Sequence, residues 1–228
     1  MAIMIFLIIA LIMSAVVHEV AHGAMAYRLG DSTAKDLGRL TLNPLKHLDP
    51  FGSIILPLGL LLLNSRFFLA WAKPVPYNPF RLRDRRFGDL KVALAGPAAN
   101  VLLALIFGLT ARWLPLAPAI KWQLTSQFLS GQNEALLASL SGSFLASIFV
   151  LAFLTCFINL MLAIFNLIPI PPLDGSKIIL TMLPAARREI FYRLEAYGLI
   201  ILVILLSLNL LDFIWPLLLL ALGKIIGL

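Results

Sequence analysis

Residues 1–13 carry no charge, and the apolar run they open continues into SAVVHEVAHGAMAYR, where two histidines and a glutamate precede the first arginine, Arg28. About 20 apolar residues in a helix are enough to cross roughly 30 Å of hydrocarbon. Ionisable groups inside such a run are costly and need a partner or a function. The fold must therefore satisfy its backbone internally and also find partners for His18, Glu19 and His22.

Of the 228 residues, 61% are apolar and 13% charged, with a mean hydropathy of +0.98, a balance that excludes an ordinary soluble domain. Four windows are long enough to span. The first covers residues 3–27, and the second covers 92–111 between Lys91 and Arg112. A third covers 144–168 and ends at the proline-rich NLIPIPPLDG. The last starts near Glu195 and runs at least to Leu211, where Asp212 and Trp215-Pro216 suggest an interface. A further run, GSIILPLGLLLL at 52–63, has 12 residues broken by Pro57 and is too short to cross. Basic residues flank both of its ends, which fits a re-entrant element; a tilted full span using residues 67–71 is the alternative. GRLTLNP (38–44) alternates weakly and WAKPVPYNP (71–79) is extended by its prolines, so both read as short strands or loops packed on protein or lining a wet cavity. The expected fold is an all-α polytopic membrane protein with about four transmembrane helices plus a re-entrant or β-like membrane-associated segment. Residues 1–228 read as a single membrane-embedded domain, with no internal repeat or linker.

A formal charge of +7 and a pI near 9.9 raise the question of nucleic acid. The distribution of the charge answers it. Residues 28–91 hold 11 of the 18 lysines and arginines and residues 177–193 hold 4, leaving Arg112, Lys121 and Lys224 for the other side. Basic loops face the cytoplasm, so the N-terminus is expected outside, and no nucleic acid is needed to explain the charge. The single cysteine, Cys156, excludes an internal disulfide and a thiolate metal cluster. Ala24-Met25-Ala26 resembles a signal cleavage site, but no basic segment precedes it, and the ionisable residues would lie before the cut. A retained helix is expected.

His18 and His22 stand four residues apart, one helical turn, so their imidazoles converge on a point that a metal ion can share. Glu19 projects beside them, where a carboxylate can take a proton from metal-activated water. With this chain's His and Glu usage, the pattern arises by chance about once in a thousand chains. Counting back from Arg28 at 1.5 Å per residue, the ligands lie roughly 9 to 15 Å below the cytoplasmic boundary. Small residues around them, Ser14, Ala15, Ala21, Gly23, Ala24 and Ala26, allow neighbouring helices to approach. A zinc site needs a third protein ligand and an open position. His47 qualifies by type but sits in a basic loop. Asp174 follows the third span in the same half of the membrane, where a cation partner best explains an ionised carboxylate; an N-cap role before a helix is its structural alternative.

HEVAHG (18–23), GPAAN (96–100) and NLIPIPPLDG (166–175), in this order and on these kinds of segment, resemble the site-2 protease family of intramembrane zinc metalloproteases. GRLTLNPLKHLDPFGS and WAKPVPYNP also look like its short prokaryotic members, so the likeness covers nearly the whole chain. The resemblance implies zinc, one ion per chain, on His18, His22 and Asp174, with Glu19 as general base. It implies that Asn166 holds the substrate backbone or polarised carbonyl, and that Gly96 and Asn100 support packing near the site. The PDZ and CBS modules of many members are not recognisable, so substrate selection is expected to rest on the helices or on another protein.

The expected activity is hydrolysis of peptide bonds in or near transmembrane segments of membrane protein substrates, the chemistry of regulated intramembrane proteolysis. The resemblance also implies a multi-pass protein of a prokaryotic cell membrane with its active site toward the cytoplasm. A non-catalytic membrane binding protein or a zinc transporter using the same ligands is the alternative class, and Glu19 is the residue that separates the two.

Overall fold

The computed structural model describes residues 2–49, 73–184 and 197–228. Helix α1 is Ala2–Arg28 and α2 is the single turn Thr33–Asp36. The second long helix, α3, is Gly88–Trp113, followed by α4, Pro118–Leu129, and α5, Asn133–Leu140. Then come α6, Phe144–Asn166, α7, Ser176–Met182, α8, Gly198–Ser207, and α9, Ile214–Ile226. Among the described residues α1, α3 and α6 are the helices long and apolar enough to cross a membrane. The architecture is all-helical and polytopic, and no strand occurs among the described residues. The re-entrant reading of 52–63 falls outside the described residues, as does the start of the fourth window near Glu195.

The long helices match their expected limits to within about a turn: charge bounds the first two windows, and the proline-rich NLIPIPPLDG ends the third. The fourth differs. Its described part, α8, ends at Ser207, and the chain turns at Asn209 (φ 54°) before α9 begins. Asparagine tolerates this left-handed conformation, so the apolar run SLNLLD breaks where hydropathy alone would continue it.

α3 packs against both α1 and α6, most extensively against α6, and α1 and α6 also touch each other. A stripe of small buried residues makes this possible: Gly96, Asn100, Ala104, Gly108 and Ala111 repeat at helical spacing. A Cβ on Gly108 would fall 2.3 Å from Ile225 Cγ2 and 2.8 Å from Cys156 Sγ, so α9 and α6 reach the α3 backbone there. Next to Cys156, α6 carries Phe149, Phe153 and Phe157. Phe128 of α4 meets Phe153 and Phe157 edge-on at 5.5 Å, and Trp215 of α9 meets Phe157 at 6.0 Å.

At the end of the bundle away from the basic loops, cations close helix C-termini. Lys121 Nζ donates to the carbonyls of Ala111 (3.1 Å) and Arg112, and Arg112 donates to the Lys224 carbonyl at 3.1 Å. Ser143 caps α6 by accepting from the Ala146 amide, and Gly227 (φ 79°) ends α9 with a left-handed cap.

At the basic end the chain reverses after α1 through Gly30 (φ 108°), and the Arg83 amide donates to the Leu29 carbonyl at 2.8 Å. Buried Asp31 gathers the Thr33 amide (3.2 Å), the Thr33 hydroxyl (2.5 Å) and the Asn78 amide (2.6 Å). It thereby fastens the extended stretch 73–78 alongside the end of α1. Burial works against ionisation of this carboxyl. The Thr33 hydroxyl, the two amides and nearby Arg81 more than offset it, holding the carboxyl below the usual carboxylate range. Asp31→Ala leaves three donors unpaired and is expected to lower stability by about 1–3 kcal/mol, read as a fall in the thermal unfolding midpoint in detergent. Because the folded-state pKa is depressed, the contribution is complete above the ordinary carboxylate range and fades as pH drops through the folded value. The gap between wild type and variant is therefore expected to shrink in acid; a gap that widens would contradict this role.

Candidate metal centre

His18 and His22 project from the same face of α1 and are both buried, with ring centroids 4.6 Å apart and nearly perpendicular planes. Their Nε2 atoms lie 3.0 Å from each other. Asp174 reaches the same point from the segment after α6: its Oδ2 is 3.0 Å from His18 Nε2 and 3.3 Å from His22 Nε2. One ligand atom from each of the three residues falls within 4.8 Å of the others.

Each partner is held from behind. His22 Nδ1 lies 2.7 Å from the Val92 carbonyl of α3. A carbonyl only accepts, so Nδ1 carries a proton, and in the neutral ring Nε2 then keeps its lone pair. His18 Nδ1 forms a 2.5 Å hydrogen bond with Asn100 Oδ1, also on α3. Asp174 is set by its loop: the Gly175 amide donates to the Asn166 carbonyl at 2.7 Å, folding 167–175 back onto the end of α6. Gly175 has an ordinary helical φ of −57°, so it is required for space rather than conformation; a Cβ there would fall 2.2 Å from the Leu167 carbonyl oxygen. The N-cap alternative for Asp174 is not what the structure shows. Gly175 is the N-cap of α7, without a side-chain hydrogen bond, and the Asp174 carboxylate faces the histidines.

This donor set fits a zinc ion. Imidazole lone pairs and a carboxylate oxygen at 3.0–3.3 Å repel one another unless positive charge lies among them. Space has also been cleared: a Cβ on Gly96 would fall 2.3 Å from His22 Nε2 and 2.6 Å from His18 Nε2. The glycine of GPAAN thus faces the two clustered histidine nitrogens themselves.

Glu19 lies outside the three-residue cluster, and its Oε2 accepts a hydrogen bond from the Val75 amide at 2.7 Å. Val75 gets this close because Gly23 has no side chain; a Cβ there would meet Leu40 Cδ2 at 2.6 Å and Val75 Cγ1 at 2.7 Å. Asn166, the last residue of α6, bonds within its own helix. Its Nδ2 donates back to the Leu162 carbonyl at 2.9 Å. His47 is a structural pin: its Nε2 donates to the Thr41 carbonyl at 2.8 Å and its carbonyl accepts from the Lys73 amide at 2.8 Å. Val75 and Val92 act here through their backbone, which leaves no mark in a sequence. Asn159, bonded to Asn100, did leave one, as a buried amide in an otherwise apolar run.

Spanning helices around two helix-borne histidines and a carboxylate define a multi-pass membrane protein with a cluster of side chains that could hold a metal ion. Sequence comparison is more specific: the chain belongs to peptidase family M50, the site-2 proteases, whose family pattern matches residues 6–209. It is 38% identical over 220 residues to "Putative zinc metalloprotease YwhC" of Bacillus subtilis, covering 96% of this chain and 88% of that one. It is 32% identical over 196 residues to "Putative zinc metalloprotease Rip2" of Mycolicibacterium smegmatis, covering 86% of this chain and 64% of that one. No solved structure matches it.

Gly96→Ala tests the cleared space. The added methyl would lie on the nitrogens, so purified variant is expected to retain less than about a tenth of the wild-type zinc by elemental analysis, with helical content unchanged. Full zinc content in the variant would contradict the placement.

Proposed function

We propose that this chain is an intramembrane zinc metalloprotease that hydrolyses peptide bonds in or near transmembrane segments of other membrane proteins. The observation that carries the reading is the convergence of His18, His22 and Asp174 on one point, with Glu19 adjacent on the same helix. His18, His22 and Asp174 would hold one zinc ion, which when bound supplies a Lewis acid that polarises the scissile carbonyl and acidifies water.

Glu19 is the general base in this mechanism. It takes a proton from the attacking water and passes it to the leaving amine. The Val75 amide fixes its carboxylate by one oxygen, so the base is positioned before substrate arrives. Asn166 holds the substrate backbone or its polarised carbonyl, for which its amide must exchange the Leu162 carbonyl for the substrate.

A helical substrate has its carbonyls bonded internally and must unwind before attack. Either 36–45 or 71–79 would be a reasonable edge to receive the unwound strand from sequence alone. Both are largely engaged in their own hydrogen bonds. In 73–78 the amides of Lys73, Val75 and Asn78 are spent on His47, Glu19 and Asp31, and Pro74 and Pro76 have none. Arg39 also occupies the carbonyls of Lys73 and Pro74. This stretch orders the base; in 36–45 the amides of Asp36, Leu37, Gly38, Arg39, Asn43 and Leu45 are spent within the loop and Pro44 has none, so substrate pairing there falls to residues 40–42.

The basic loops put the site toward the cytoplasm and the N-terminus outside, in the cell membrane of a prokaryote. Lipid and substrate helices are its partners. Glu19→Gln separates this enzyme from a transporter or binding protein on the same ligands. The variant is expected to keep its zinc while cleavage of a membrane-protein reporter falls about a hundred-fold or more. Undiminished cleavage, or zinc flux by the wild type in sealed vesicles without cleavage, would overturn the enzyme reading.

A further inference from the structure

Behind His18 lies a chain of buried amides that the zinc site and the general base do not account for. Asn100 on α3, Asn159 on α6 and Ser14 on α1 are all buried, at 0%, 0% and 4% exposure. Asn159 Nδ2 donates to Ser14 Oγ at 2.9 Å and to the Thr155 carbonyl at 2.9 Å. Asn100 Nδ2 donates to Asn159 Oδ1 at 2.8 Å and approaches the Ser14 carbonyl at 3.4 Å. Asn100 Oδ1 then meets His18 Nδ1.

An amide side chain can usually be turned end for end, so its polarity says little by itself. Here it cannot. The Thr155 carbonyl only accepts, which commits the Asn159 nitrogen to it and turns Asn159 Oδ1 toward Asn100. That oxygen, with the Ser14 carbonyl, demands the Asn100 nitrogen. Asn100 therefore presents its oxygen to His18, and Nδ1 must carry the proton. In a neutral imidazole the lone pair is then on Nε2, the atom facing His22 and Asp174.

We propose that Asn159 is a positioning residue, which by orienting the Asn100 amide fixes His18 in the tautomer whose Nε2 can bind metal. It never touches the metal or substrate. The consequence for function rests on the zinc-binding reading above; the tautomer itself does not. Without the Asn159 oxygen, only the long contact to the Ser14 carbonyl opposes rotation of Asn100. An inverted Asn100 would offer its NH₂ to Nδ1 and put the proton on Nε2, closing the metal position.

Two measurements test this separately. Imidazole ¹⁵N spectra of metal-free protein, assigned with His22 and His47 variants, are expected to show His18 protonated at Nδ1 in wild type and redistributed toward Nε2 in Asn159→Leu. Protonation at Nε2 in wild type would overturn the proposal without any variant or zinc. Zinc affinity, measured by chelator competition, is expected to fall about 10- to 100-fold in Asn159→Leu, the usual effect of removing a partner behind a metal-binding histidine. The decisive comparison repeats that substitution on Asn100→Asp, whose side chain can only accept when ionised, whichever way it turns. There Asn159→Leu is expected to cost no zinc affinity. An equal loss in both backgrounds would show that Asn159 acts through packing and overturn the proposal. Zinc-free wild type with the expected tautomer would instead condemn the zinc reading and leave the relay standing.

Discussion

Everything in the bundle depends on pairing polar groups where lipid offers none. His18, His22, Asn100, Asn159 and Ser14 all lie within spanning helices and are all buried. Each has a partner on a different helix. In such a medium an unsatisfied group costs several kcal/mol, so these contacts select one arrangement of α1, α3 and α6 over others of equal apolar burial. Van der Waals packing brings the helices together, and the polar contacts set their rotation and height.

The small-residue stripe of α3 makes both possible. At one end, Gly108 lets α6 and α9 approach the backbone; at the other, Gly96 leaves room beside the two histidine nitrogens. Asn100 sits between, one turn from Gly96, where a close helix can reach His18. One spacing thus serves packing, the orientation of His18 and the clearance beside the histidine nitrogens. A larger side chain at Gly96 would press on the α1 histidines, whereas one at Gly108 would press on α6 and α9.

Two of the long helices were legible from the distance between charges, since Lys91 and Arg112 stand near the ends of α3 and Arg28 ends α1, and the third from an apolar run stopped by prolines. His18 and His22 were legible because helical periodicity turns a spacing into a geometry. Asp174 needed more, since only the return of the 167–175 loop places it there, and no local pattern encodes that approach. The break at Asn209 was hidden because a single left-handed residue hardly alters hydropathy. The Val75 and Val92 contacts were invisible in principle, being made by backbone atoms that every residue carries. Asn159 was overlooked though readable: the reasoning that singled out two histidines in a membrane helix applies equally to an amide in VLAFLTCFINLML.

The central claim is that His18, His22 and Asp174 share one metal ion. X-ray absorption at the zinc edge of purified protein tests it most directly, because it reports the atoms around the ion rather than the consequences of binding. The account expects one zinc per chain in a four-coordinate shell of nitrogen and oxygen at about 2.0–2.2 Å, with imidazole scattering from two histidines. A sulfur neighbour, a shell of oxygens without imidazole, or the same spectrum after His18→Ala would contradict it.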